Sequence, residues 1–244
     1  MAKFQFTLRG ALLFTALFAL LLGIMSPMVR RIWDASRTTQ CEKNMKQLLL
    51  AVHLYHDIHG CFPPAYIPDA HDLPKHSWRV LLLPHLGEDA LYRRYRFDEP
   101  WNGPNNRQLA DEMPEVFRCP LDSSKGFTTS YVAVVGSETV WPGATSKGIN
   151  DITDGTTCTI MLVESAGSGI HWMEPRDISF DAAIRKTNMP GQPTIQSGHS
   201  AHGPTLGFAD GTSTRHLSEN DLSPKWLRSL LTIRGKEPVP GFYY

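Results

Sequence analysis

The chain has 244 residues, with 24 Lys and Arg against 24 Asp and Glu, so its formal charge is zero. That balance excludes the broad basic footprint needed to hold nucleic acid. The length supplies enough core for one large domain, or for one ordinary domain plus an anchor, without disulfide staples.

The first strong signal lies near the N-terminus. After Lys3 and Arg9, residues 10–29 (GALLFTALFALLLGIMSPMV) carry no charge, and Arg30 and Arg31 close the run. At 1.5 Å per residue, about 20 such residues cross the roughly 30 Å hydrocarbon layer, which predicts a single transmembrane helix. A cleaved secretory signal is the competing reading. The run exceeds the usual apolar core of about 7–15 residues, and Met25-Ser26-Pro27-Met28 followed by arginines is a poor cleavage context. The chain thus divides into a short N-terminus (1–9), a transmembrane helix (10–29) and a domain (30–244), the first cytoplasmic and the last extracytoplasmic only on the resemblance drawn below. Basic residues flank both ends of the span, so charge alone does not orient it.

The helical pattern continues beyond the span. Cys41, Met45, Leu48, Leu49, Val52 and Tyr55 fall at spacings of three and four, an apolar stripe, with Glu42, Lys43, Lys46 and Asp57 between them. Gly60 suits a helix C-terminus, and Pro63-Pro64 cannot continue one. A single rod over 12–59 follows, its outer half in need of a globular partner.

Further along, 78–86 and 88–95 read as short helices. Residues 131–135, 159–163 and 205–209 read as strands. Asp210-Gly211 between apolar runs predicts a two-residue type I′ hairpin. Ser223-Pro224 opens a last helix to residue 231, with Ser as N-cap and Pro in its first turn. Residues 166–204, rich in Gly, Ser, Pro and His, read as long surface loops. The fold class is α+β: a long N-terminal helix, transmembrane and then amphipathic, packed on a small antiparallel sheet with long loops.

The order of segments resembles a bacterial pilin-like family of unknown function. Its members carry a prepilin-type N-terminus and a C-terminal H-x9-DG motif, and some are labelled as transporters similar to type II secretion pseudopilins. The segments that carry the resemblance are QCEKNMKQLLLAVHLYHDIHGCFPPAY from Gln40, SWRVLLLPHLGEDALYRRYRFDEPWNGPNN from Ser77, VFRCPLD from Val116, SYVAVVG from Ser130, NDITDGTTCTIMLVE from Asn150 and GFADGTSTRHL from Gly207. Two positions depart from the pattern. Phe6-Thr7-Leu8 follows Gln5 and precedes Gly10, where the family has Gly and Glu, and His199 stands eleven positions before Asp210, with His202 eight before it.

The resemblance implies a single-pass protein of the cytoplasmic (inner) membrane with its C-terminal domain outside. The lipid bilayer is then its first partner, and self-association or contact with envelope or secretion machinery the next. The function so implied is that of a membrane-anchored, pseudopilin-like structural or assembly protein, with changes at Leu48 and Val52 altering self-association. A tethered binding module, taking a glycan or peptide through loops near Trp141, His171, Trp172 and His199, is the alternative.

Among Cys41, Cys61, Cys119 and Cys158 three complete pairings exist, and no CxxC occurs. The family-like segments favour Cys41 with Cys119, whose bridge would tie the helix to the sheet domain; Cys158 stands where the family has Asn. Small buried thiols are the alternative reading. Asp151 and Asp154, in NDITDGTT, offer hard oxygen ligands of the kind calcium takes, as in the C-terminal loops of some pseudopilins. An Asp-Gly turn explains the same letters without an ion. His53, His56 and His59 share a helix at spacings that spread them around it, and His199 and His202 with Asp210 form a second His set. Glu164, ending IMLVE, is a candidate functional carboxylate, although a strand-end Glu usually faces solvent or caps a neighbour. No G-x-S-x-G elbow, Walker loop, HExxH or dinucleotide fingerprint is present, so no catalytic residue and no organic cofactor is assigned.

Overall fold

The computed structural model describes residues 8–185, 193–199, 203–216 and 223–235. Helix α1 (Leu8–His59) runs unbroken for 52 residues, about 78 Å at 1.5 Å per residue. It stops where predicted: Gly60 follows at φ 74°, a left-handed position that glycine adopts without penalty, and its N–H returns to the His56 carbonyl at 2.7 Å. The Phe6-Thr7 part of the prepilin-like start lies outside the described residues. The segment expected to span a membrane falls on α1, and several of its side chains also lie outside them; judged on the described residues, no helix is long and apolar enough to cross a membrane.

The two halves of α1 have opposite surroundings. Phe14, Phe18, Leu21, Met25, Met28, Ile32 and Trp33 are all more than half exposed or at that mark. Cys41, Met45, Leu48, Leu49 and Val52 are fully buried. Leu48 and Val52 therefore pack inside their own domain, which removes them as a surface for self-association; the apolar row left exposed on this half is Leu50, Leu54 and Ile58.

After α1 come β1 (Tyr66–Pro68), β2 (Pro74–Ser77), α2 (Trp78–Leu81), a 3-10 turn (Leu83–Leu86), α3 (Asp89–Arg94), β3 (Tyr131–Val132), β4 (Val134–Val135), β5 (Ile160–Glu164), β6 (Ile178–Ser179), α4 (Phe180–Arg185), β7 (Thr205–Phe208), β8 (Thr214–His216) and α5 (Pro224–Leu231). A four-stranded antiparallel sheet has the order β3-β5-β7-β8. β1 and β2 form an antiparallel ribbon, and β4 pairs with β6 in parallel. Helix α1 crosses one face of the main sheet, while α4 and α5 enclose a second core on the other with Ile160, Val163, Leu206 and Phe208. The result is an α+β fold with helices on both faces of a small antiparallel sheet.

α1 approaches β7 closely because Gly207 has no side chain. A Cβ there would stand 2.8 Å from Met45 Sδ and 3.0 Å from Leu49 Cδ1. Gly207→Ala should lower the stability of the full chain by about 1–3 kcal/mol, the usual cost of overpacking, read as a shift of the urea midpoint at unchanged slope. An unchanged midpoint would mean that the Met45 and Leu49 side chains turn aside for the methyl.

Two expectations change. Among its described residues, the stretch 166–204 forms β6 and α4 in place of the expected surface loops, and Ile170, Trp172, Met173 and Ile178 are fully buried. Its Gly and Ser content reflects tight backbone, with Gly167 and Gly169 at φ 68° and 62°. The β7–β8 turn is not a two-residue type I′ hairpin either. Phe208 N–H donates to the Ser213 carbonyl at 3.0 Å, enclosing four residues, and only Gly211 takes positive φ. Asp210 instead accepts from Thr212 N (3.1 Å), Ser213 N (2.9 Å) and Ser213 Oγ, a side-chain-stabilised turn.

Candidate functional site

The strongest chemical cluster joins groups spread over most of the sequence. Cys41 on α1 and Cys119, just after the 3-10 turn Glu115–Phe117, form a disulfide across a separation of 78 residues. Beside it stand Glu164, the last residue of β5, and His199. Ligand-type atoms of these four side chains all lie within 4.8 Å of one another, and all four residues are buried. Cys119 Sγ is 3.3 Å from His199 Nε2, which is 3.4 Å from Glu164 Oε1.

Each member is placed by local structure. Cys41 opens the buried stripe of α1, and its carbonyl accepts a hydrogen bond from Tyr131 Oη at 3.1 Å. Cys119 N donates to Ser130 Oγ at 3.0 Å, and Ser130 Oγ donates to Asp122 Oδ2 at 2.8 Å, fixing the VFRCPLD segment against β3. Glu164 shares a face of β5 with Leu162, the face that α1 covers. Of the two expectations for it, facing solvent fails, because β5 is an inner strand flanked by β3 and β7 and Glu164 is 0% exposed, whereas capping a neighbour holds, through Thr205 on β7.

Glu164 uses its oxygens unequally. Oε2 accepts from Thr205 N (2.9 Å) and Thr205 Oγ1 (3.0 Å), whereas Oε1 has no hydrogen bond. Burial pushes the carboxyl above its ordinary value, against the lowering effects of the Thr205 bonds and of nearby His216. His216, on β8, lies 2.8 Å by Nε2 from Glu42 Oε1 and 5.5 Å, ring to ring, from His199. The Glu42 contact ties the edge strand to α1 one residue past Cys41. Asp122, whose N–H donates to the Cys119 carbonyl at 2.9 Å, is also buried in part. Burial raises its carboxyl, but bonds from Ser124, Ser130 and the Gly167 N–H outweigh this and hold it below the ordinary Asp range.

The other sequence candidates go elsewhere. Asp151 accepts from Arg234 Nη2 (2.6 Å) and Gly148 N (2.9 Å), and Asp154 accepts from Gly235 N (2.6 Å), so both carboxylates clasp the segment after α5. His53 contacts the Ala209 carbonyl at 3.0 Å, His56 the Ile149 N–H at 3.3 Å, and His59 stacks on Tyr55. They share no centre. His202 lies outside the described residues, and His199 turns to Glu164 rather than to Asp210. Trp141 and Trp172 are core residues, with indole N–H groups donating to the carbonyls of Met161 (2.6 Å) and Ala110 (3.0 Å). Cys61 and Cys158 carry free thiols.

Chemically, a buried disulfide with an imidazole and a carboxyl in contact can store a cross-link or, once opened, present two thiols beside two further ligands. All four residues are buried, so a reagent from outside reaches them only through local opening of the fold. The sequence names Glu164 and His199 separately but does not join them to each other or to the cysteines; the shared parity of Leu162 and Glu164 on β5 was a usable signal for the burial of Glu164.

A family model described as a protein of unknown function (DUF1559) matches residues 31–148, a little under half of the chain. Cys41 and Cys119 fall within the matched stretch, and Glu164 and His199 follow it. No curated protein and no solved structure shows a significant match.

Proposed function

We propose that this chain is a membrane-anchored, pilin-like structural or assembly subunit of the bacterial envelope and that it acts without catalysis. The observation that carries this reading is the division of α1: one continuous helix whose first half holds large apolar side chains with no protein cover, and whose second half is buried in a compact domain. An aqueous surface is a costly place for Phe14, Leu17, Phe18 and Leu21, and a bilayer is the solvent in which their exposure is favourable. The disulfide, which oxidising compartments permit, agrees with a domain outside the cytoplasm. The glycan- or peptide-binding alternative is less well supported, because Trp141 and Trp172 are occupied in the core.

In cells expressing the full chain, the protein should stay in the membrane pellet after alkaline carbonate extraction, and protease added to the outside should digest the domain. Replacing Leu17 and Leu21 together by Lys should release most of it, since each charge at mid-span costs about 2.5–3.5 kcal/mol. Recovery of the unaltered chain in the soluble fraction would overturn the anchor. Self-association, read by cross-linking in the membrane, should fall with Leu50→Glu and Ile58→Glu and survive in the Cys61→Ser control.

A further inference from the structure

We propose that opening the Cys41–Cys119 disulfide turns the buried cluster into a four-ligand site for a zinc-class divalent ion, with Cys41 Sγ, Cys119 Sγ, His199 Nε2 and Glu164 Oε1 as ligands. Zinc takes two thiolates, an imidazole and a carboxylate readily, and its bond lengths of about 2.0–2.3 Å set tetrahedral ligand-to-ligand edges at about 3.3–3.8 Å. Two of those edges already exist, 3.3 Å between Cys119 Sγ and His199 Nε2 and 3.4 Å between His199 Nε2 and Glu164 Oε1. The whole set lies within 4.8 Å.

The second observation is Glu164 Oε1 itself, an acceptor on a side chain with no solvent exposure that makes no hydrogen bond. Thr205 holds the other oxygen with two donors, which aims Oε1 into the cluster in the way outer groups orient metal ligands. With His199 Nε2 as its ion-pair neighbour at 3.4 Å, an acceptor so buried is satisfied by a proton on that ring or by a cation held between the two.

The redox step balances with a dithiol as reductant. Its thiolate attacks one sulfur and the Cys41–Cys119 bond breaks. Its second thiol then closes the reductant's own disulfide, and two protons end on Cys41 and Cys119. Metal binding displaces both thiol protons to solvent. The cross-link between α1 and the sheet domain is thereby exchanged from covalent to coordinate and is not lost.

The test uses the full chain in detergent micelles, without oxygen, reduced by a non-chelating phosphine that leaves as its oxide. Zinc, and cobalt(II) as a spectroscopic probe, are added to the reduced and oxidised forms. The reduced chain should bind one metal ion, show thiolate-to-cobalt charge-transfer and tetrahedral d–d bands, and gain about 5 °C or more in thermal midpoint with saturating zinc. The oxidised chain should bind none. Glu164→Gln and His199→Asn should each weaken binding at least tenfold. The proposal fails if the reduced, folded chain takes up no stoichiometric metal, or if oxidised chain binds equally. It fails too if both variants bind as the unaltered chain does. If reduction unfolds the chain and zinc does not restore its near-ultraviolet circular dichroism, the site is likewise refuted, because an ion specific for the folded cluster must stabilise it.

Discussion

Replacing Cys41 and Cys119 together by Ala should lower the unfolding free energy of the full chain by about 4 kcal/mol. The bridge closes a loop across a separation of 78 residues, and loop-closure entropy for that length gives a value near this figure. For a chain of this size each kcal/mol moves the thermal midpoint by about 2–4 °C, so a fall of roughly 8–16 °C is expected. Urea unfolding should show the same loss with a steeper slope, since the uncross-linked unfolded chain exposes more surface. Cys61→Ser, at a free and only partly buried thiol, should stay within about 0.5 kcal/mol of the parent. A loss below about 1 kcal/mol in the double variant would mean that burial of the α1 stripe alone fixes the helix to the sheet.

Arg79→Met should be about as damaging, costing about 3–5 kcal/mol, because it leaves a buried carboxylate without its cation. Arg79 and Asp177 side chains are 0% and 2% exposed and meet at 2.5 Å. The guanidinium also donates to the Tyr131 carbonyl (3.3 Å) and to Ser77 Oγ (3.0 Å), and lies 4.7 Å over the Trp78 ring. Asp177 accepts in addition from Ala133 N (2.8 Å) and Trp78 Nε1 (3.1 Å). The pair therefore joins α2 to β3 and to the segment before β6. Arg79→Lys should recover little, since an ammonium lacks the planar fork that reaches three partners at once. Combining Arg79→Met with Asp177→Asn should cost less than the two single losses summed, as the second change removes the charge the first strands. Strict additivity, measured by denaturant unfolding of all four proteins, would show that the two side chains act independently.

Much of the fold was legible before any coordinates. Period-3.6 spacing from Cys41 to Tyr55 gave the buried face of α1, Gly60 and the prolines gave its end, and Ser223-Pro224 gave the start of α5. Ser223 Oγ accepts from Trp226 N at 3.3 Å, as the capping chemistry requires. These features are local: a helix face, a cap or a stop depends on residues within one or two turns. The burial within 166–204 is not legible locally, because Gly, Ser and Pro report that a backbone turns and say nothing of whether another element covers it. The turn at Asp210 is ambiguous for a related reason, since Asp-Gly suits several turns and the flanking register selects among them.

The candidate site was legible only in pieces. Family-like segments drew attention to Cys41 and Cys119, whereas Glu164 looked like an ordinary strand end. By itself the sequence determined the apolar N-terminal run, the long helix, the amphipathic stripe and an α+β composition, because each is written in neighbouring residues. Tertiary structure decided which strand lies inside the sheet, and with it that Glu164 is buried, that His199 reaches it, and that both stand against the disulfide. Strand order is fixed by pairing between residues tens of positions apart, so the burial of a carboxylate at the end of β5 is a property of what packs on either side of it.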